Sequence, residues 1–362
     1  MNPSRKGSSG AIPNSCRPVI EAEPATSGIT AGNVPNSVSS STRTEKRLPM
    51  RLSMTTAITA VREAFIELSQ GQADVPVRTP IALAGDGAAL FMPVHMPRQQ
   101  QLGIKVVTVV PENRDRDLPT IQALVAVFNA ETGSPEAVMD GELLTAVRTG
   151  AASGVATDVL ARENAAVAAV VGAGVQGMRQ LEAVCCVRTI REALVFDPDR
   201  ERAEFFATEM GRRLGRTVRV LDTVSAVFAA DVVCTATSSN LPVVADADLA
   251  KGTHVNAIGT YRPDTREIPG QAMGRSTVFV DSREACLAEA GDLVMAIAEG
   301  HLDVAVRPAE IGEVLAGSRP GRVDDADLTI FKSVGNAVQD LAVAGLILEE
   351  ARRLELGTEV EV

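Results

Sequence analysis

A chain of 362 residues is long enough for two domains, and a hydrophobic fraction of 45% is ample for two buried cores. The formal net charge of −11 disfavours nucleic acids and anionic membranes as partners. No apolar run is long enough for a transmembrane helix, and the absence of Trp argues against a platform for stacking bases. Only five lysines are present, so a lysine within an apolar stretch is a candidate functional residue.

The first fifty residues differ in composition from the rest of the chain. They are rich in Ser, Pro, Gly, Asn and Thr, which predicts a disordered tail, or an over-extended start of translation, over residues 1–50. Five cysteines without a C-x-x-C spacing are typical of buried thiols in a reducing, cytoplasmic compartment. Three isolated histidines are too few for a zinc site, so no metal is predicted.

Residues 51–150 have the pattern of a helix packed on a mostly antiparallel sheet. Apolar residues recur at helical spacing over residues 54–68, directly after the capping residue Ser53. Short strand-like stretches follow, separated by turns at residues 85–87 and 132–134. The predicted strands cover residues 75–83, 88–94, 103–110, 123–129 and 135–139.

The pattern changes to alternating strands and helices after a long Ala-rich helix over residues 143–161. The later strands are short continuous apolar runs, as in a parallel sheet covered by helices on both faces. A final helix from about residue 329 to 353 is expected to return to the first domain. The predicted strands cover residues 165–171, 193–197, 218–221, 231–237, 253–258 and 277–281, with helices over 178–187 and 200–214.

A Gly-rich turn lies between the first of these strands and the helix that follows it. The fingerprint G-x-G-x-x-G is matched here by Gly172, Ala173, Gly174, Val175, Gln176 and Gly177. We expect Gly172 to form the tight turn, Gly174 to let a pyrophosphate approach the backbone, and Gly177 to let helix and strand pack closely. Residues 151–324 are therefore predicted to form a Rossmann domain with a doubly wound parallel sheet.

Asp197 ends the second strand of this domain. An Asp at this position accepts hydrogen bonds from the adenosine ribose hydroxyls and repels a 2′-phosphate, which favours NAD(H) over NADP(H). Arg200 and Arg202 are close enough in sequence to moderate that preference, so NADP(H) is kept as an alternative. The other interpretation is that Asp197 only caps the next helix.

Three cations lie in or beside the small predicted sheet. Lys105 lies in the apolar strand GIKVVTVV, on the same face as Val107 and Val109, where a charge is costly without an anionic partner. Arg148 lies in the joining helix, and Arg78 lies in the strand PVRTPI. For each residue alone, a surface charge or a structural ion pair is the alternative. Together they indicate an anionic ligand, most simply a carboxylate held by an Arg fork.

Over residues 54–353 the chain resembles the ornithine cyclodeaminase/μ-crystallin family. The resemblance rests on the stretches FMPVHM, LGIKVVTVVPEN, TGSPEAVMDGELLTAVRTGAASG, VVGAGVQG, HVNAIGTYRPDTREI, VDSREA, EAGD and TIFKSVGNAVQDLA. It implies an α/β fold with a Rossmann domain that binds a nicotinamide cofactor. It also implies a second, mixed and mostly antiparallel α+β domain, residues 51–150 plus 325–362, that binds substrate and forms a homodimer.

The same resemblance implies roles for single residues. Arg78, Lys105 and Arg148 resemble the family's substrate-carboxylate and catalytic residues, and Met92 resembles a residue of the substrate pocket. Tyr261 lines that pocket or has a plain packing role. The implied cofactor contacts are Thr120, Thr237, Ala257, Ile258, Ser333 and Val334, together with Ala173, Gly174, Val175, Gln176 and Asp197.

Two departures from the family pattern narrow the implied activity. Ornithine cyclodeaminases carry a Glu where this chain has Leu90 and an Asp where it has Tyr261. Without these carboxylates, the resemblance implies the ketimine reductase branch and NAD(P)H-dependent reduction of Δ1-pyrroline-2-carboxylate or Δ1-piperideine-2-carboxylate, which gives proline or pipecolate. The alternatives are an ornithine cyclodeaminase, an alanine or other amino-acid dehydrogenase, and a non-catalytic μ-crystallin-like binding protein.

Overall fold

The computed structural model describes residues 52–303, 305 and 307–360. The tail predicted over residues 1–50 lies outside the described residues. Within the described ranges the chain forms one antiparallel and one parallel sheet, which confirms the predicted fold class. No helix in these ranges is long and apolar enough to cross a membrane.

The antiparallel sheet comprises β1 Thr79–Ala82, β2 Ala88–Met96, β3 Gln101–Val109, β4 Ile121–Asn129 and β5 Pro135–Asp140. The strands lie in sequence order, and every neighbouring pair is antiparallel. β1 is shorter than the predicted strand, because residues 75–78, which include Pro76 without an amide donor, do not pair with β2, although Asp74 pairs with His95 of that strand.

Helix α2, Gly141–Leu160, lies on one face of this sheet, and helix α1, Met54–Ser69, packs on α2. The side chain of Ser53 accepts a hydrogen bond from the amide of Thr56, which confirms the predicted N-cap of α1. Phe65 of α1 belongs to the same core as Val94 and Val125 of the sheet. The helical periodicity of α1 therefore corresponds to the face that it buries in this core, mainly against other helices.

The parallel sheet comprises β6 Val167–Val171, β7 Glu192–Phe196, β8 Val218–Val220, β9 Val232–Thr235, β10 His254–Ala257, β11 Thr277–Val280, β12 Ala309–Glu310 and β13 Thr329–Lys332. Their spatial order is β12-β11-β13-β10-β9-β6-β7-β8. Ala169 and Val171 of β6 contribute to one core, and Ala168 and Val170 contribute to another. The sheet is thus buried on both faces, which explains its continuous apolar strands.

The helices around the parallel sheet are α3 Val175–Val187, α4 Arg200–Leu214, α5 Gly270–Arg275, α6 Arg283–Glu289, α7 Gly291–Ala298 and α8 Ile311–Leu315. Leu181 of α3 and Phe206 of α4 belong to one core, whereas Met273 of α5 and Leu293 of α7 belong to the other. The strand order reverses at β6, since β7 lies on one side of it and β9 on the other. Ligands of such sheets bind at the carboxyl ends of the strands where the order reverses.

The last predicted helix, over residues 329–353, is wrong in its first turns. Thr329–Lys332 is a strand, β13, between β10 and β11, and the helix α9 is Ala337–Arg353. Gly335 has a φ of +82° and separates the two elements, and the side chain of Asn336 caps α9. The boundary predicted at residue 325 therefore precedes the last strand of the parallel sheet. As expected, α9 returns to the first core, through residues such as Leu341.

Candidate active site

The Gly-rich turn connects β6 to α3 at the point where the strand order reverses. Gly172 has a φ of +103°, and a Cβ atom there would lie 2.5 Å from the carbonyl oxygen of Ala236. A Cβ atom on Gly177 would lie 2.1 Å from the carbonyl oxygen of Gly172. At Gly174, by contrast, no heavy atom lies within 4 Å of the same position. Two of the glycines are therefore required by packing, and the third leaves open space at the start of α3.

Asp197 lies at the carboxyl end of β7, and its side chain is only 6% exposed. Its Oδ2 accepts a hydrogen bond of 2.9 Å from the amide of Ala173, so the carboxylate and the Gly-rich turn are in contact. The neighbouring arginines have carboxylate partners of their own. Arg202 lies 3.7 Å from Asp197, and Arg200 lies 2.7 Å from Asp222.

The other predicted cofactor contacts lie along the same edge of the sheet. β13, β10, β9, β6 and β7 are consecutive neighbours, and each is followed by residues of the predicted set. Thr120 is separate from them, because it directly precedes β4 and its carbonyl oxygen pairs with the amide of Val110. The residues at the shared edge are Gly172, Ala173, Gly174, Val175, Gln176, Gly177, Asp197, Thr237, Ala257, Ile258, Ser333 and Val334.

A buried carboxylate, Glu267, connects the ends of β9 and β10. Its Oε1 accepts hydrogen bonds from the amide and the hydroxyl of Thr237, at 2.7 and 2.8 Å. Its Oε2 accepts from the hydroxyl of Thr235 and the amide of Gly259, both at 2.8 Å. Burial raises the pKa of Glu267 above its ordinary value. Glu267 cannot be identified from the sequence, because nothing in the stretch TREI indicates that its side chain reaches the ends of two other strands.

A second buried pair, Lys332 and Asp292, supports the same edge. Lys332 Nζ lies 2.8 Å from Asp292 Oδ2 and donates to the carbonyl oxygen of Thr260 at 2.7 Å. Burial alone would raise the pKa of Asp292, but the ammonium of Lys332 and several hydrogen bonds lower it overall. Lys332 also lies in an apolar strand, so the scarcity of lysine could have identified it as it identified Lys105.

Lys105 and Arg148 meet on one carboxylate oxygen. Lys105 Nζ on β3 and Arg148 Nε on α2 lie 3.0 and 2.9 Å from Oδ1 of Asp340 on α9. The three side chains are between 1% and 8% exposed. Burial lowers the pKa of Lys105 to about 8, against the attraction of Asp340. The structure thus brings together two of the three predicted cations, with an acidic partner that the sequence did not identify.

Arg78, the third cation, lies against the segment that follows β13. Its Nη2 donates to the carbonyl oxygens of Val334 and Gly335, at 3.1 and 2.8 Å, and its Nε lies 3.0 Å from Glu289 Oε2. A Cβ atom on Gly335 would lie 2.6 Å from Nη1 of Arg148. The guanidinium groups of Arg78 and Arg148 therefore both lie against Gly335, the residue that follows the candidate cofactor contact Val334.

A cleft beside the cations is lined by Arg78, Met92, Glu289 and Gly335. Met92 on β2 is the cross-strand partner of Lys105 on β3. Tyr261 is half-buried, and burial raises the pKa of its phenol against the charges of Arg262 and Arg78. A larger cavity of about 270 Å³ lies near the amino end of β11, but it contains none of the predicted site residues.

Two of the three cations share one carboxylate, and the third has its own. Asp340 pairs with Lys105 and Arg148, and Glu289 pairs with Arg78. Two further carboxylates lie nearby, because Glu284 lines the cleft and Asp281 accepts a hydrogen bond from the amide of Gly335. The net charge therefore does not select a ligand, but the two guanidinium groups on the segment after β13 can bind a carboxylate.

Comparison with known proteins gives one family and close relatives. A model of the ornithine cyclodeaminase/mu-crystallin family matches residues 39–355. A Delta(1)-pyrroline-2-carboxylate reductase of Bacillus cereus is 38% identical over 301 residues, which cover 82% of this chain and 92% of the relative.

Two solved structures are also similar. The Thermococcus litoralis Delta(1)-pyrroline-2-carboxylate reductase in complex with NADH and L-proline has a TM-score of 0.82 at 40% identity, and the match covers 85% of this chain and 96% of that one. An archaeal alanine dehydrogenase dimer with bound NAD has a TM-score of 0.81 at 36% identity, with 86% and 95% covered.

Proposed function

The chain belongs to the ornithine cyclodeaminase/mu-crystallin family, and on this premise we propose that it reduces a small cyclic imino acid with NADH. The substrate is Δ1-pyrroline-2-carboxylate or Δ1-piperideine-2-carboxylate, and the product is proline or pipecolate. The observation that carries the proposal is the group of Arg78, Lys105 and Arg148, in which Lys105 and Arg148 share Asp340 and both arginines contact the segment after β13, at the edge of the parallel sheet.

The residues at this edge fit a dinucleotide. The open space at Gly174 lies at the N-terminus of α3, where free backbone amides and the helix dipole favour a pyrophosphate. Asp197 accepts hydrogen bonds from the ribose hydroxyls and repels a 2′-phosphate, and the carboxylate partners of Arg200 and Arg202 weaken their attraction for it. NAD(H) is therefore favoured over NADP(H). When bound, the cofactor supplies a hydride.

Arg78 and Arg148 hold the substrate carboxylate. Each is fixed by protein contacts on the segment after β13, so little side-chain freedom is lost on binding. A charge-assisted hydrogen bond contributes about 1.5–3 kcal/mol, which is enough to orient a small substrate.

Lys105 hydrogen-bonds the substrate carboxylate or, as an ammonium, gives its proton to the imine nitrogen and is left as a neutral amine. A protonated imine accepts a hydride more readily, because the transfer neutralises its charge. Met92 lines the cleft and packs against the ring of the substrate. Tyr261 does not line the cleft and packs against a core of the parallel sheet.

The functional unit in this proposal is a homodimer formed through the substrate-binding domain, residues 51–150 plus the C-terminal helix α9. The face of the antiparallel sheet opposite the helices supports it, because large apolar side chains there are exposed. Val138 is 74% exposed, Ile81 is 50% exposed and Leu124 is 43% exposed, and the strand register places all three on the face opposite Lys105. Residues 151–324, with β13, form the cofactor domain.

Buried thiols support a reducing, cytoplasmic compartment for this enzyme. Cys234 and Cys286 are both buried, and burial raises the pKa of the Cys234 thiol to about 12. A thiol held in this state is a structural side chain rather than a nucleophile or a disulfide partner.

The proposal is tested by NADH oxidation with Δ1-pyrroline-2-carboxylate and Δ1-piperideine-2-carboxylate, with identification of proline or pipecolate as the product. Lys105→Ala is expected to lose most of the turnover, whereas Lys251→Ala, at an exposed lysine, serves as the matched control. NADPH in parallel reactions tests the cofactor preference.

Three further substrates distinguish the alternatives. Proline formed from ornithine with catalytic NAD, without turnover of the imino acids, would establish a cyclodeaminase instead. Rapid NADH production from alanine would establish an amino-acid dehydrogenase. Absence of turnover with every substrate, despite NADH binding, would establish a binding protein.

A further inference from the structure

We infer that Asp340 is a positioning residue for this reaction, whose single carboxylate fixes the ammonium of Lys105 and the guanidinium of Arg148 beside the substrate carboxylate. The inference rests on the proposed function for the identity of the substrate. It assigns to α9 a part in the chemistry, in addition to its packing against the antiparallel sheet.

One oxygen of Asp340 lies against both cations: Lys105 donates a hydrogen bond to it, and Arg148 Nε pairs with it by charge alone. Oδ1 of Asp340 lies 3.0 Å from Lys105 Nζ and 2.9 Å from Arg148 Nε, and Asp340 is 1% exposed. Without a shared anion, two buried positive charges would repel each other and would carry a large desolvation cost. The carboxylate therefore makes it feasible for both cations to face one substrate group.

Asp340 is contacted from two other elements. Lys105 lies on β3 and Arg148 on α2, and Arg148 Nη1 also donates a hydrogen bond of 2.8 Å to the neighbouring Gln339 on α9. The other oxygen, Oδ2, is buried and has no hydrogen-bond partner among the described residues. An Asn at this position would keep the shape and one acceptor oxygen but remove the charge, so it tests the charge itself.

The charged groups that face Lys105 act in opposite directions. Burial and the charges of Arg148 and Arg78 lower its pKa, whereas Asp340 raises it by charge and by hydrogen bonding. The side chains directly opposite on β2 and β4, Met92 and Val125, are apolar and carry no charge. Asp340 is thus the acidic partner that keeps Lys105 protonated at neutral pH.

The experiment compares Asp340→Asn with the wild-type enzyme. The pH profile of kcat/KM for Δ1-pyrroline-2-carboxylate at saturating NADH is expected to have an alkaline limb near pH 8, where Lys105 loses its proton. In Asp340→Asn the limb is expected to move to lower pH by about one to three pH units, the effect of an opposite charge at this distance. Titration of the substrate contributes equally to all profiles. Glu349→Gln, which removes an exposed carboxylate from the same helix, should leave the limb in place.

A binding measurement separates this inference from the proposed function. Pyrrole-2-carboxylate is a planar monocarboxylate that does not titrate between about pH 6 and 10, and calorimetry gives its affinity for the protein with NADH. In the wild type the affinity should fall as the pH rises and Lys105 loses its proton. In Asp340→Asn the same fall should occur at a lower pH. This shift would support the inference even if the imino acids proved not to be substrates.

Two outcomes would overturn the inference. The first is a folded Asp340→Asn enzyme whose kcat/KM falls by the same factor at every pH. Its alkaline limb and the pH dependence of its affinity for pyrrole-2-carboxylate would then be those of the wild type. If Asp340→Asn does not fold by circular dichroism, Asp340→Glu keeps the charge at an altered distance. The Asp340→Glu enzyme should then keep the alkaline limb at the wild-type pH, with a lower kcat/KM. The second outcome is a limb displaced by a full pH unit in this variant, which would contradict the role of the charge.

Discussion

Two substitutions in the Gly-rich turn should affect folding stability and NADH binding separately. At Gly174 the φ angle is −86°, and an added Cβ atom meets no heavy atom within 4 Å. Gly174→Ala should therefore change the free energy of unfolding by no more than about 0.5–1 kcal/mol. If the pyrophosphate binds against this backbone, the methyl group displaces it. Loss of one charge-assisted hydrogen bond, about 1.5–3 kcal/mol, raises the Kd for NADH about ten- to 150-fold.

Gly177→Ala is the matched control, because it adds the same methyl group three residues further along the chain. Its Cβ atom would lie 2.1 Å from the carbonyl oxygen of Gly172 and 3.0 Å from Cγ1 of Val170. The backbone cannot move away without displacing β6 or α3, so overpacking should destabilise the fold by about 1–3 kcal/mol. This variant is expected to lose stability first and NADH affinity only as a consequence.

Thermal unfolding and NADH fluorescence titration of the two variants give the two quantities independently of turnover. The expected result is a normal Tm with weak NADH binding for Gly174→Ala, and a Tm lowered by several degrees for Gly177→Ala. A folded Gly174→Ala protein with the wild-type Kd would show that the pyrophosphate does not approach this backbone. An unchanged Tm for Gly177→Ala would refute the packing argument.

Four further predictions address the cation group, the ribose carboxylate and the buried lysine. Arg148→Ala should raise the KM for the imino acid about ten- to 150-fold without changing the Kd for NADH, as measured by steady-state kinetics and fluorescence. Asp197→Ser should raise the ratio of kcat/KM with NADPH to that with NADH at least about tenfold, since a carboxylate no longer repels the 2′-phosphate. Lys105→Arg should remove the alkaline limb near pH 8, because Arg keeps its proton, and a limb that persists would assign it to another group. Lys332→Met should lower the free energy of unfolding by about 3–5 kcal/mol in denaturant titrations, because it leaves Asp292 buried without its cation.

Sequence patterns identified those parts of the site whose signal is local. The Gly-rich turn is contained in one strand–turn–helix unit, so residue types and spacing alone indicate it. Lys105 stands out because a lysine in an apolar strand is costly to bury. In both cases the prediction depends on a few adjacent residues and not on the rest of the fold.

The acidic partners of the site could not be predicted in this way. Asp340 lies 235 residues from Lys105 along the chain, in a helix whose own pattern is that of an ordinary amphipathic segment. Glu289 likewise reaches Arg78 only through the tertiary fold. Glu267 crosses to the ends of two strands that precede it in sequence. A carboxylate of this kind is indistinguishable from a solvated one until the elements are assembled.

The final helix begins later than the sequence predicts, because a strand and a short connecting segment precede it. Pairing with β10 and β11 keeps Thr329–Lys332 extended, and a short apolar stretch does not by itself distinguish this from a helix. The chain then passes through Ser333 and Val334 at the cofactor edge to Gly335, whose carbonyl oxygen accepts from Arg78.

Buried contacts fix this connection at both ends. Asp281 Oδ2 accepts from the hydroxyl of Ser333 at 2.7 Å and from the amide of Gly335 at 2.8 Å. Five residues after Gly335, Asp340 holds Lys105 and Arg148. The candidate hydride donor site and the candidate carboxylate site are therefore joined by one short, hydrogen-bonded stretch of backbone. This stretch is one connection between the two sites, and the packing of β3 and α2 against α9 places Lys105 and Arg148 beside it.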